Sequence, residues 1–124
     1  MPGRSVVVDV LIVDDEPPFR SVARIVVGLV GGRTATAEAE TGEDALSLVA
    51  STHPEVVLLD MNLPGVNGIE ATRQLLAAAP GTTAVLMCTY SADDLPPDAS
   101  DCGAVAHLGE EDLTPSALRA LVAS

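Results

Sequence analysis

Residues 9–20 read DVLIVDDEPPFR, and residues 56–60 read VVLLD. In both, an unbroken Val/Ile/Leu run stops on aspartate: Val10 to Val13 at Asp14 and Asp15, Val56 to Leu59 at Asp60. An apolar run without alternation suits a strand covered on both faces, as in a parallel sheet. Val6-Val7-Val8 precedes the first run and extends its apolar character. Working outward, Pro17-Pro18 suits a helix start, because proline in a first turn gives up no hydrogen bond. Phe19, Val22, Ala23, Val26 and Leu29 then recur at helical spacing up to the stop at Gly31-Gly32. Thr34 to Ala39 alternates as a second strand. Thr41 is placed to cap a helix that carries Ala45, Leu46, Leu48 and Val49 and ends before Pro54.

Beyond Asp60, the residues Pro64, Gly65, Asn67 and Gly68 make a turn-rich loop. Ile69, Thr72, Leu75 and Leu76 mark a helix that stops before Pro80-Gly81. Ala84 to Cys88 reads as a fourth strand, and a short helix is expected between Leu95 and Cys102. Val105 to Leu108 is the last strand, and Thr114-Pro115 opens a closing helix through Leu121. Five strands alternating with five helices predict an α/β fold, a doubly wound parallel sheet with right-handed crossovers. Residues 1–124 are expected to form one domain.

Composition narrows the function. At 48% hydrophobic residues the chain is not disordered, and its apolar runs are too short to span a bilayer. No charged, apolar and small-residue succession opens it, so a cytoplasmic location without membrane contact is expected. Eighteen acids against six bases, net −12, weigh against nucleic-acid binding by this segment. All six bases are arginine. Cys88 and Cys102 lack metal-ligand spacing and read as buried thiols.

In a doubly wound sheet, ligands bind beyond the carboxyl ends of the strands, at the topological switch point. With the strand order 2-1-3-4-5, the first and third strands are neighbours, and Asp14, Asp15 and Asp60 converge. One aspartate at a strand end is a common turn former. Three together repel one another, and a divalent cation removes the conflict. A few oxygen ligands suit Mg²⁺, which keeps several waters and shares itself with a phosphate.

These stretches resemble the receiver domains of two-component response regulators, over nearly the whole chain. DVLIVDDEPPFR is similar to the family's first strand with its acidic pair. VVLLDMNLPGVNG (Val56 to Gly68) resembles the phosphoacceptor segment, AVLMCTYSADD (Ala84 to Asp94) carries the switch threonine, and DCGAVAHLGEEDLTPSAL (Asp101 to Leu118) resembles the last strand and helix. The resemblance implies a flavodoxin-like fold. It implies that Asp60 accepts a phosphoryl group from a histidine kinase, that Asp14 and Asp15 hold Mg²⁺ with Asp60 and the backbone carbonyl of Asn62, and that Thr89 bonds a phosphoryl oxygen. It further implies a signalling switch and not a free-standing enzyme.

Three positions depart from the family pattern. Glu110 occupies the place of the family's lysine at the end of the fifth strand, and the chain contains no lysine. Against a phosphoryl group, a glutamate 4 Å away costs about 1 kcal/mol in water and about 4 at an effective dielectric of 20. His107 stands where the family places an aromatic that moves with the threonine, so a partly exposed edge-strand histidine and a pH-sensitive switch are both open. Tyr90 follows Thr89 where the family prefers a small residue, as a roof over the site or an exposed loop tyrosine.

Between Gln74 and Leu118 there is no arginine, yet Asp93, Asp94, Asp98, Asp101, Glu110, Glu111 and Asp112 fall there. A uniformly acidic surface over residues 93–112 disfavours a symmetric dimer and suits a basic protein partner. The leading functional reading is a phosphoryl-accepting receiver. The alternative is a pseudo-receiver, a phosphorylation-independent interaction module, which the missing lysine, His107 and Tyr90 favour.

Overall fold

A computed structural model of the chain describes residues 10–30, 35–61, 63, 68–88, 103–109 and 112–122. The strands are β1 (Val10–Val13), β2 (Ala35–Ala39), β3 (Val56–Asp60), β4 (Thr83–Cys88) and β5 (Ala106–Gly109). Four helices lie among the described residues: α1 (Pro17–Leu29), α2 (Gly42–Thr52), α3 (Gly68–Ala78) and α4 (Pro115–Val122). The sheet runs β2-β1-β3-β4-β5 with every pairing parallel, the order that places β1 beside β3. Val6-Val7-Val8 and the helix expected between Leu95 and Cys102 lie outside the described residues.

The unbroken apolar runs are explained by burial on both faces. Leu11, Val13, Val57, Leu59 and Leu86 point into one layer, packed with Ala45 and Val49 of α2 and Ile69 and Leu75 of α3. Their neighbours Val10, Ile12, Val56, Leu58, Val85 and Met87 point into the other, against Ala23, Val26 and Val27 of α1 and Leu118 of α4. The β1 and β3 members are all fully buried. Each such side chain contributes about 1.5–3 kcal/mol through loss of contact with water.

Local signals set the helix ends. Pro17 and Pro18 fill the first turn of α1. Thr41 Oγ1 accepts from Asp44 N at 3.0 Å to start α2, and Thr114 Oγ1 accepts from Ala117 N at 3.1 Å at the start of α4. His53 ends α2 in the left-handed region at φ 51°, donating its N–H to Val49 O. It is exposed, as a turn residue before Pro54 should be.

Two expectations are corrected. Val22 and Leu29 do not face the core: they are 51% and 62% exposed, with Ile25 at 64%, while Ala23, Val26 and Val27 are buried beside Phe19 and Val30. α1 is apolar on more than one side, and a helix resting on a sheet can bury only one stripe. The last strand begins at Ala106, leaving Val105 exposed although its N–H still donates to Ala84 O.

α1 is tied to the sheet edge through Glu38 of β2, which takes Arg20 Nε at 3.1 Å and Arg24 Nε at 2.6 Å. The Arg24 hydrogen bond, more than partial burial opposes it, holds the Glu38 carboxyl below its ordinary value of 4.5. A depressed folded-state value means stabilisation that is complete above the unfolded value and lost as pH falls through the folded one. The stability gap between the wild type and Glu38→Gln, read by urea melts, is therefore expected to be largest near neutrality. It should close as pH drops below 4.5.

Candidate functional site

Because Val13 pairs with Leu59, the next residues on both strands, Asp14 and Asp60, emerge side by side at the carboxyl edge of the sheet. Asp15 follows at the rim. One carboxylate oxygen from each of Asp14, Asp15 and Asp60 lies within 4.8 Å of the other two. Asp14 and Asp60 are buried, at 0% and 5% exposure, whereas Asp15 is exposed. The pocket therefore has a desolvated acidic floor and an open side. Hard oxygen donors in this number, converging on one point, fit a magnesium ion that completes its shell with water and a phosphoryl oxygen.

Backbone contacts hold Asp14 and the strand end that carries Asp60. The Asp14 N–H donates to Ala39 O at 3.0 Å, its Oδ1 accepts from Glu16 N at 2.8 Å, and its carbonyl accepts from Arg20 Nη1 at 2.6 Å. Asp60 ends β3 in register with Met87 of β4, and the following Met61 N–H donates to Met87 O at 2.9 Å. The chain then returns against its own strand end. Gly68 N donates to Met61 O at 2.9 Å, and Thr72 Oγ1 donates to Gly68 O at 2.7 Å.

A Cβ on Gly68 would lie 2.3 Å from Asp60 O and 2.5 Å from Met61 Cα, both backbone atoms. Gly68 is thus required by the close approach behind Asp60, a role its place in a turn-rich loop did not suggest. The only sequence signal was a glycine opening a helix soon after a strand-end aspartate. Arg20 likewise carries no sequence signal, because its partner is a main-chain oxygen that no side-chain pattern announces.

His107 lies on edge strand β5 opposite Leu86 and is half-buried. Asn62, Thr89, Tyr90 and Glu110 lie outside the described residues, as do Cys102, the Cys88 side chain and most of the acidic stretch 93–112. Beside Asp15, an open concavity of about 430 Å³ is lined by Asp15, Glu16, Pro17, Pro18, Phe19 and Val22. No helix among the described residues is long and apolar enough to cross a membrane.

Comparison with known proteins agrees with this arrangement. The family model "Response regulator receiver domain" matches residues 10–122. The response regulator GacA of Pseudomonas aeruginosa is 33% identical over 101 residues, covering 82% of this chain and 47% of GacA. An uncharacterized transcriptional regulatory protein of Bacillus subtilis, YxjL, is 30% identical over 115 residues, 93% of this chain and 53% of its own. Among solved structures, a two-component response regulator of the LuxR family from Aurantimonas sp. SI85-9A1 superposes with a TM-score of 0.83 at 26% identity. That superposition covers 94% of this chain and 86% of the other. The chain belongs to the response regulator receiver domain family of two-component signalling. It spans about half the length of the curated relatives it matches.

Gly68→Ala tests the close approach behind Asp60. With backbone on the far side of the clash, the strand end must shift, and a loss of about 1–3 kcal/mol is expected in urea melts.

Proposed function

We propose that this chain is a phosphoryl-accepting switch whose nucleophile is Asp60 and whose donor is a histidine kinase. The observation that carries the reading is the convergence of the Asp14, Asp15 and Asp60 oxygens within 4.8 Å, with Asp60 fixed at the strand end. A carboxylate needs no activating base to attack phosphorus. The Asp60 oxygen forms a bond to phosphorus as the bond from phosphorus to the donor imidazole nitrogen breaks. The electron pair stays on that nitrogen, and the product is a mixed anhydride. The phosphoryl group comes to rest on the chain itself, which makes the chain a reactant and a signal carrier, not a metabolic enzyme.

Asp14, Asp15, Asp60 and the Asn62 carbonyl would hold Mg²⁺, which supplies positive charge against the phosphoryl oxygens when bound. The Thr89 hydroxyl would donate a hydrogen bond to a phosphoryl oxygen, coupling the acyl phosphate to the rest of the fold. With no lysine in the chain and Glu110 in that place, a bound metal would be the main source of positive charge. This absence supports the second reading, a phosphorylation-independent interaction module. On either reading, the acidic stretch 93–112 suits a basic partner and disfavours a symmetric dimer.

Intact-mass measurement after incubation with a small-molecule phosphodonor separates the two. A Mg²⁺-dependent gain of one phosphoryl group, lost in Asp60→Asn, is expected. No gain from small donors or from a broad set of kinases would leave the interaction module.

The kinase is proposed to rest on the apolar shoulder of Pro17, Pro18, Phe19 and Val22, because that shoulder adjoins Asp15 and continues into exposed Ile25. A charge placed there desolvates poorly under a partner. Val22→Asp is expected to slow transfer from a phosphorylated kinase about tenfold, the effect of losing ~1.4 kcal/mol of docking. Labelling by a small-molecule donor should stay unchanged.

A further inference from the structure

We propose that Arg20 is a positioning residue of the acidic pocket: its guanidinium holds the Asp14 carbonyl and so fixes the peptide from which Asp15 departs. This rests on the reading of the pocket as a Mg²⁺-dependent phosphoacceptor site.

The geometry is that of a three-way brace. Arg20 Nη1 donates to Asp14 O at 2.6 Å, Nε donates to Glu38 Oε1 at 3.1 Å, and Nη2 lies 3.7 Å from Glu40 Oε2. The side chain is only 13% exposed. Its own backbone is set by the helix start, where Arg20 N donates to Glu16 O at 3.2 Å. The brace therefore runs from α1 to β2 and grips the end of β1 between them.

The gripped atom matters because the Asp14 carbonyl belongs to the peptide plane joining Asp14 to Asp15. Hydrogen bonds to Ala39 O and from Glu16 N fix Asp14 on its amino side and at its carboxylate. The Arg20 bond fixes the plane beyond. A peptide plane moves as a rigid unit, so turning this one swings Asp15 away from Asp14 and Asp60. Glu38 and Glu40 offset the guanidinium charge locally. The brace thus acts on the pocket through geometry more than through charge. Arginine suits the task, since a planar fork can serve three partners in set directions where an ammonium cannot.

Arg24 supplies the control. It shares Glu38 with Arg20 and ties α1 to β2, donating from Nε to Glu38 Oε2 at 2.6 Å and not to the Asp14 carbonyl. Removing it loosens the same seam while leaving the Asp14 carbonyl held.

The test is Mg²⁺ affinity by isothermal titration calorimetry on the wild type, Arg20→Gln, Arg20→Lys and Arg24→Gln, each also melted in urea. Residues that orient metal ligands are typically worth 10–100-fold in affinity. Arg20→Gln is expected to bind Mg²⁺ weaker by about that factor. Arg20→Lys should fall between it and the wild type, and Arg24→Gln should match the wild type in affinity despite losing stability. Wild-type affinity in folded Arg20→Gln, or an equal loss in Arg24→Gln, overturns the proposal while the metal site stands. If Arg20→Gln does not fold, Arg20→Lys carries the test: reduced affinity supports the brace and wild-type affinity overturns it. A wild type that takes up no Mg²⁺ overturns the metal site itself, and the brace with it.

Discussion

The pairing of β1 with β3 forces together carboxylates that would otherwise avoid each other. At separations within 4.8 Å, two such charges repel by about 3–4 kcal/mol at an effective dielectric of 20. Burial of a few of the Val, Ile and Leu side chains on the two strands outweighs that repulsion, at about 1.5–3 kcal/mol each. The apolar core thus holds the acids in place, and the repulsion they retain is what a divalent cation at this cluster would relieve.

Holding charges near one another is different from holding them in a usable arrangement. The main chain around the pocket is held at several points among the described residues. Ala39 and Glu16 hold Asp14, and Arg20 holds its carbonyl. Gly68 lets the start of α3 close against the Asp60 backbone, and Thr72 fastens Gly68 from within the same helix. Each of these contacts has a main-chain atom on at least one side, and the one charged group they add, Arg20, is offset by Glu38 and Glu40. α1 is free of acids and exposes Val22 at the concavity beside Asp15, with Ile25 and Leu29 farther along the helix, while the sequence of residues 93–112 holds acids and neither arginine nor lysine. In a chain of net charge −12, an acid-free apolar face beside the phosphoacceptor is where another protein can approach at least electrostatic cost.

Unbroken Val/Ile/Leu runs ending on aspartate determined the parallel sheet, because only strands covered on both faces can lack polar alternation. Proline and threonine at helix starts determined where α1, α2 and α4 begin, since capping is a matter of a few adjacent residues. The convergence of Asp14, Asp15 and Asp60 followed from strand order and was legible at the same level. Which face of α1 is buried was decided only by tertiary structure, since valine, isoleucine and leucine surround that helix and the sheet chooses one stripe. The roles of Gly68 and Arg20 were also decided only by tertiary structure. Their partners are the backbone atoms of Asp60, Met61 and Asp14, and a main-chain oxygen has no residue type for a sequence to reveal.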